Sequence, residues 1–186
     1  MNTTKMTKIA FCFASSLLLA MPAVAGTWTR TVEDVSYEQI ESRRLRVDLN
    51  KTADTVSFRD NSRSSLGMEF SCLNGDLFSA VRVSDESPVI HTALTTEAFG
   101  YLTVPRRVAI NDKPMPVQYF MPSRDDGLFL TYDPKLSRKM YNSVVRGQDF
   151  TFNYGGGKAF TLSPPTVNAD FADFGKNCGL GRNAVK

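Results

Sequence analysis

The sequence is poor in the residues that usually carry chemistry. Its 186 residues hold one histidine, one tryptophan and three cysteines. A lone His91 offers no histidine pair at helical spacing, so a zinc site of the usual donor set is not expected. Cys12, Cys72 and Cys178 lie far apart, which excludes the C-x-x-C spacing of thiol redox centres. No serine stands in a G-x-S-x-G elbow. The glycine run in "FNYGGGKAF" fails as a phosphate loop, because Phe152 stands where the first glycine belongs and Ala159 where Ser or Thr belongs. No cofactor and no metal are expected.

Charge is short too. The formal net charge is +3, and two of the cations, Lys5 and Lys8, fall in an N-terminal leader-like segment. Without them 20 basic residues face 19 acidic ones, a balance of +1. That is no footprint for nucleic acid. Two basic knots, Arg43-Arg44-Arg46 and Arg106-Arg107, read either as local anion contacts or as solvated charge on a strand edge or loop.

The longest apolar run, Ile9 to Met21, is too short to cross a bilayer comfortably. It follows Lys5 and Lys8 and ends at Pro22, before Ala23-Val24-Ala25 and Gly26. This is the order of a secretory signal with small residues at the cleavage point. An uncleaved anchor is the competing reading. The expectation is a cleaved signal peptide over 1–25, cut between Ala25 and Gly26, and a single exported β-rich domain over 26–186. Cys12 leaves with the signal. The remaining Cys72 and Cys178 have one internal pairing, with free thiols or an intermolecular bridge as alternatives. An oxidising, periplasmic or extracellular location favours the internal disulfide.

Most of the exported part alternates as strands do. "TWTRTVED" (27–34) suits an edge strand and "DTVSFRD" (54–60) a second. "LGMEFSCLNGDLFSAVRVSD" (66–85) sets two alternating runs around Asn74-Gly75, the sign of a hairpin. Met68, Phe70 and Cys72 then share one inward face. "YLTVPRRVAINDKPMPVQYFMPS" (101–123) holds two more strands around a turn at Asp112-Lys113-Pro114, and "GLFLTYD", "QDFTFNY" and "KAFTLS" add three. Two helices carry end signals. The first has Asp133, Pro134 and a closing Gly147; the second has Asn168, Asp170 and a closing Gly179. Phe171, Phe174 and Cys178 fall on one face of the second. The fold class expected is mainly β: an antiparallel β-sandwich or flattened barrel with one or two packed helices and one disulfide.

Candidates for function are few. His91, between apolar and threonine neighbours, reads as a half-buried strand residue, with a catalytic base as the alternative. Asp125-Asp126 stabilises its own turn, and adjacent carboxylates do not form a glycosidase pair. Tyr119 and Phe120 alternate across a strand, so that one could be an exposed aromatic anchor; burial on both faces is the competing account. Arg106 and Arg107 are the neighbouring cations.

The cysteine-bearing hairpin "LGMEFSCLNGDLFSAVRV", "RRVAINDKPMP", "NSVVRGQDFTF", "AFTLS" and the closing "FADFGKNCG" resemble, over residues 66–180, the invasion-associated locus B family and the type VI secretion accessory proteins. The resemblance implies a periplasmic β-sandwich of the Gram-negative envelope that works through protein contacts. Among site residues it carries over Cys72 and Cys178 alone. The function expected is therefore non-enzymatic binding of another envelope protein or a cell-wall component, with no membrane span after the leader. Inhibition of a cell-wall hydrolase and a hydrolase built around His91 are the alternatives.

Overall fold

The computed structural model describes residues 26–36, 50–60, 63–73, 75–84, 102–123 and 127–180. The expected signal peptide with Ala25, the arginine knot at 43–46, Asn74, His91 and Asp125-Asp126 lie outside the described residues.

Ten strands form one sheet: β1 (Thr29–Ser36), β2 (Asn50–Asp60), β3 (Arg63–Leu73), β4 (Asp76–Arg82), β5 (Val104–Ile110), β6 (Lys113–Pro114), β7 (Gln118–Pro122), β8 (Leu128–Thr131), β9 (Phe150–Gly155) and β10 (Lys158–Leu162). Two helices accompany it, α1 (Pro134–Val145) and α2 (Ala169–Asn177). The strand order is β1-β2-β3-β4-β8-β7-β5-β9-β10, with short β6 extending from β5. Every pairing is antiparallel. Of the two forms expected from the sequence it is nearer the flattened barrel: one sheet, curled as an open half-barrel.

The turns follow from their residues. Leu73 pairs with Asp76 across the predicted hairpin, where Gly75 holds φ at +84°. The β5–β6 turn sits one residue earlier than expected. Asn111 and Asp112 take φ of +50° and +59°, leaving Lys113 and Pro114 to pair with Ile110 and Ala109. A two-residue turn with both central residues at positive φ matches strand twist, and Asn and Asp tolerate it. β3 also starts earlier than expected, at Arg63.

One face of the sheet is covered by the helices. Asp133 caps α1, accepting from the Lys135 amide at 2.8 Å, with Pro134 in the first turn. The helix buries Leu136, Met140, Tyr141 and Val144 against β4 and β8. Each large side chain so buried contributes about 1.5–3 kcal/mol. The Ser79 hydroxyl on β4 donates to Ser137 on α1 at 2.9 Å. Asn168 caps α2, which lies on β1 and β2 and buries Phe171 and Phe174. The helices meet where Tyr141 stacks on Phe171, centroids 4.9 Å apart and planes 12° from parallel. Gly175 lies against the Tyr141 hydroxyl, in a space that a Cβ would fill.

Trp28 closes the structure. Its ring packs on Phe58 (4.7 Å) and Phe171 (4.6 Å), and its Nε1 donates to the Pro165 carbonyl at 3.1 Å. Asn168 Nδ2 donates to the Trp28 carbonyl at 2.8 Å. The chain leaving edge strand β10 thus crosses to the opposite edge strand, β1.

The other face of the central strands is buried as well, and polar. Thr55 and Ser71 share a hydroxyl hydrogen bond at 3.0 Å. Glu69 and Arg82 form an ion pair at 3.1 Å with side chains 1% and 4% exposed. Ala80, Leu128 and Leu130 form a small apolar cluster beside them, with Phe78, Met121 and Tyr132 packed against it.

Candidate contact surface and the cysteine latch

Cys72 and Cys178 are joined in a disulfide, with Cα atoms 5.7 Å apart and a sequence separation of 106. β3 alternation turns Cys72 to the helix-covered face with Met68 and Phe70, and the end of α2 brings Cys178 over it. Asp54, the cross-strand partner of Cys72, strengthens the junction. It accepts two hydrogen bonds from Arg30 at 2.8 Å each and one from Asn177 at 3.1 Å. The arrangement is a latch between the last helix and the second and third strands. It carries no reactive thiol.

The four residues of β5 and β7 singled out in the sequence divide between two faces. The register pairs Val104 with Phe120, Pro105 with Tyr119 and Arg106 with Gln118, and cross-strand partners share a face. Phe120 therefore points inward. It is completely buried and packs edge-on against Phe152 at 5.1 Å. Its expected role as a contact residue is corrected to core packing, because strand alternation delivers it to the apolar interior. Arg106 follows the same face to its rim. Its guanidinium lies 5.1 Å from the Phe129 ring centroid, a cation–π distance, and Nη1 donates to the Pro105 carbonyl at 2.9 Å. Arg106 Nε is buried and has no hydrogen-bond partner among the described residues.

Tyr119 points outward and is 62% exposed. Pro105 lies directly across from it and is also exposed. Arg107, two residues along β5 on that outer face, is exposed and makes no ion pair among the described residues. A strand rises about 3.3 Å per residue, which sets Arg107 diagonal to Tyr119 and within reach of the same ligand. Val117 and Leu102, on the chain flanking these strands, are 48% and 79% exposed. Large apolar side chains in the open are few among the described residues; three of the five belong to this unit. The outer face of β5–β7 thus presents an aromatic ring with a polar tip, aliphatic neighbours and the cation of Arg107, which makes no ion pair among the described residues. Such a set suits recognition by packing and hydrogen bonding.

Two tyrosines, Tyr132 and Tyr141, hold their protons more tightly than a free phenol. Burial beside Met121 and Phe78 pushes the Tyr132 phenol up to about 12, and burial between the helices raises that of Tyr141. Among the described residues no group of three or more His, Cys, Asp or Glu converges to hold a metal ion, and no helix is long and apolar enough to cross a membrane.

No protein-family model, curated protein or solved structure matches the chain.

Proposed function

We propose that this chain is an exported, disulfide-latched binding protein of the cell envelope. It holds another envelope protein or a cell-wall component against the outer face of β5–β7. The observation that carries the reading is the division of Tyr119 from Phe120. One of two adjacent aromatics is completely buried while the other stands 62% in solvent beside exposed Pro105, Val117 and Arg107. An exposed tyrosine ringed by apolar and cationic groups has the composition of an interface anchor. The latch supports export, since disulfides persist in oxidising compartments. The periplasm is the compartment that the leader-like N-terminus and the family resemblance favour.

Site-specific photocrosslinking in the producing cell tests this. A crosslinker at position 119 yields one discrete adduct, and the same probe at exposed Val32 on β1 does not. Arg107→Ala and Val117→Ala weaken the adduct at 119. No adduct at 119, or equal adducts at both positions, refutes the reading. Inhibition of a purified cell-wall hydrolase by the protein, lost in Tyr119→Ala, would identify the partner as that enzyme.

A further inference from the structure

The outer face of α1 carries a run of charge with no ion-pair partner among the described residues. Lys135, Arg138, Lys139 and Arg146 recur at helical spacing and are all exposed, with Asn142 between them. They form a stripe about 16 Å long. The helix has no acidic residue, and Asp133, just before it, is occupied as the N-cap. The four charges exceed the formal net charge of the whole chain, +3. None of them has an ion-pair partner among the described residues, whereas Arg30, Arg63, Arg82 and Lys176 all do.

Their position works against the helix. Three of the four lie in its N-terminal half, where the macrodipole is positive and cations are unfavourable. α2 is arranged the opposite way, with Asp170 in its first turn and Lys176 in its last. The α1 cations and the helix dipole thus add to one positive field. An open depression of about 310 Å³ lies within it, lined by Pro134, Lys135, Arg138, Lys139 and Asn142.

We propose that this face docks onto a layer of anionic phospholipid headgroups, holding the protein at a membrane surface by charge alone. The composition of the face favours lipid over protein. Protein interfaces are depleted of lysine and enriched in aromatics at their centres, and this stripe has lysine and no exposed aromatic. A headgroup layer needs no fixed register and rewards each added cation. The apolar face of α1 is occupied by the core through Leu136, Met140, Tyr141 and Val144, so the helix adsorbs without inserting. Contact here leaves the β5–β7 surface to its own partner, so the inference stands independently of that reading.

Co-sedimentation with phosphatidylcholine vesicles, with and without phosphatidylglycerol, tests the proposal. Binding is expected on the anionic vesicles in excess of the neutral ones, and that excess is lost at high ionic strength. Each cation removed weakens it by about fivefold, so Lys135→Gln/Arg138→Gln/Lys139→Gln reduces it by about a hundredfold. Lys158→Gln, on the β9–β10 hairpin, and Tyr119→Ala leave it within about twofold. The salt dependence of the unaltered chain reads the same charge contribution should the triple variant fail to fold. Equal binding to both vesicles, an excess that persists at high salt, or one unchanged in the folded triple variant overturns the proposal. So does retention on immobilised polyglutamate without vesicle binding, which would assign the face to an acidic protein.

Discussion

Opening the Cys72–Cys178 bridge, by reduction or as the Cys72→Ser/Cys178→Ser double variant, lowers stability without abolishing the fold. The bridge closes a loop of 106 residues, and the chain-entropy relation assigns such a closure about 5 kcal/mol at most. α2 does not depend on it alone. Phe171 stays between Trp28 and Tyr141, Asn177 still donates to Asp54, and Asn168 still donates to the Trp28 carbonyl. In a domain of this size 1 kcal/mol moves Tm by about 2–4 °C, so the full effect is a fall of about 10–20 °C. Thermal unfolding followed by circular dichroism, with and without reductant, measures it. Hydrogen exchange adds the order of events. The Cys178 and Leu180 amides, bonded to the Phe174 and Gly175 carbonyls, lose protection before the β3–β4 ladder does. A shift below about 3 °C refutes the entropic reasoning. Simultaneous loss of protection in α2 and β3–β4 refutes the latch as a local device.

Phe120→Ala costs about 3–5 kcal/mol in denaturant unfolding, while Tyr119→Ala one residue away stays within about 0.5 kcal/mol of the parent; comparable losses at the two positions contradict the assigned faces. Gly175→Ala pushes a methyl group into the Tyr141 hydroxyl and costs about 1–3 kcal/mol, part of which Tyr141→Phe restores in a double-mutant cycle. Tyr132 titrates late in an alkaline absorbance titration. Its folded value, about 12, lies above the ordinary 10, so the folded state holds the proton longer. Stability from this group is complete below pH 10 and falls as pH rises from 10 to 12; Tyr132→Phe flattens that part of the profile.

Helix ends were legible in the sequence because their signals are local. Asp133-Pro134 and Gly147 bracket α1, and Asn168 and Gly179 bracket α2, with both glycines at positive φ. The disulfide was legible because two cysteines leave few options. The double burial of the central strands was not. Glu69 and Ser71 alternate with Met68 and Phe70, which alone would turn them to solvent, yet they are buried with polar partners on neighbouring strands. Those partners, Thr55 and Arg82, are distant in sequence, and alternation cannot reveal that polar groups satisfy each other. The contact surface was half legible for the same reason. Alternation sends Tyr119 and Phe120 to opposite faces, but which one reaches solvent depends on the pairing with β5 and on how the sheet curls.

The closure made by Trp28, Pro165 and Asn168 bears on when this chain can fold. The first residue of the core finds its hydrogen-bond partners 137 and 140 positions later, and Asp54 meets Asn177 across 123. A chain emerging from its N-terminus can form the β3–β4 hairpin early, but it cannot seal the aromatic core or the latch until residues 165–178 follow. Contacts of such separation fold slowly. An unsealed chain stays extended enough to be threaded through a narrow channel, and it becomes difficult to unfold only after its far end is through. Under the export proposed above, closing the fold with its two terminal segments would make arrival the condition for stability.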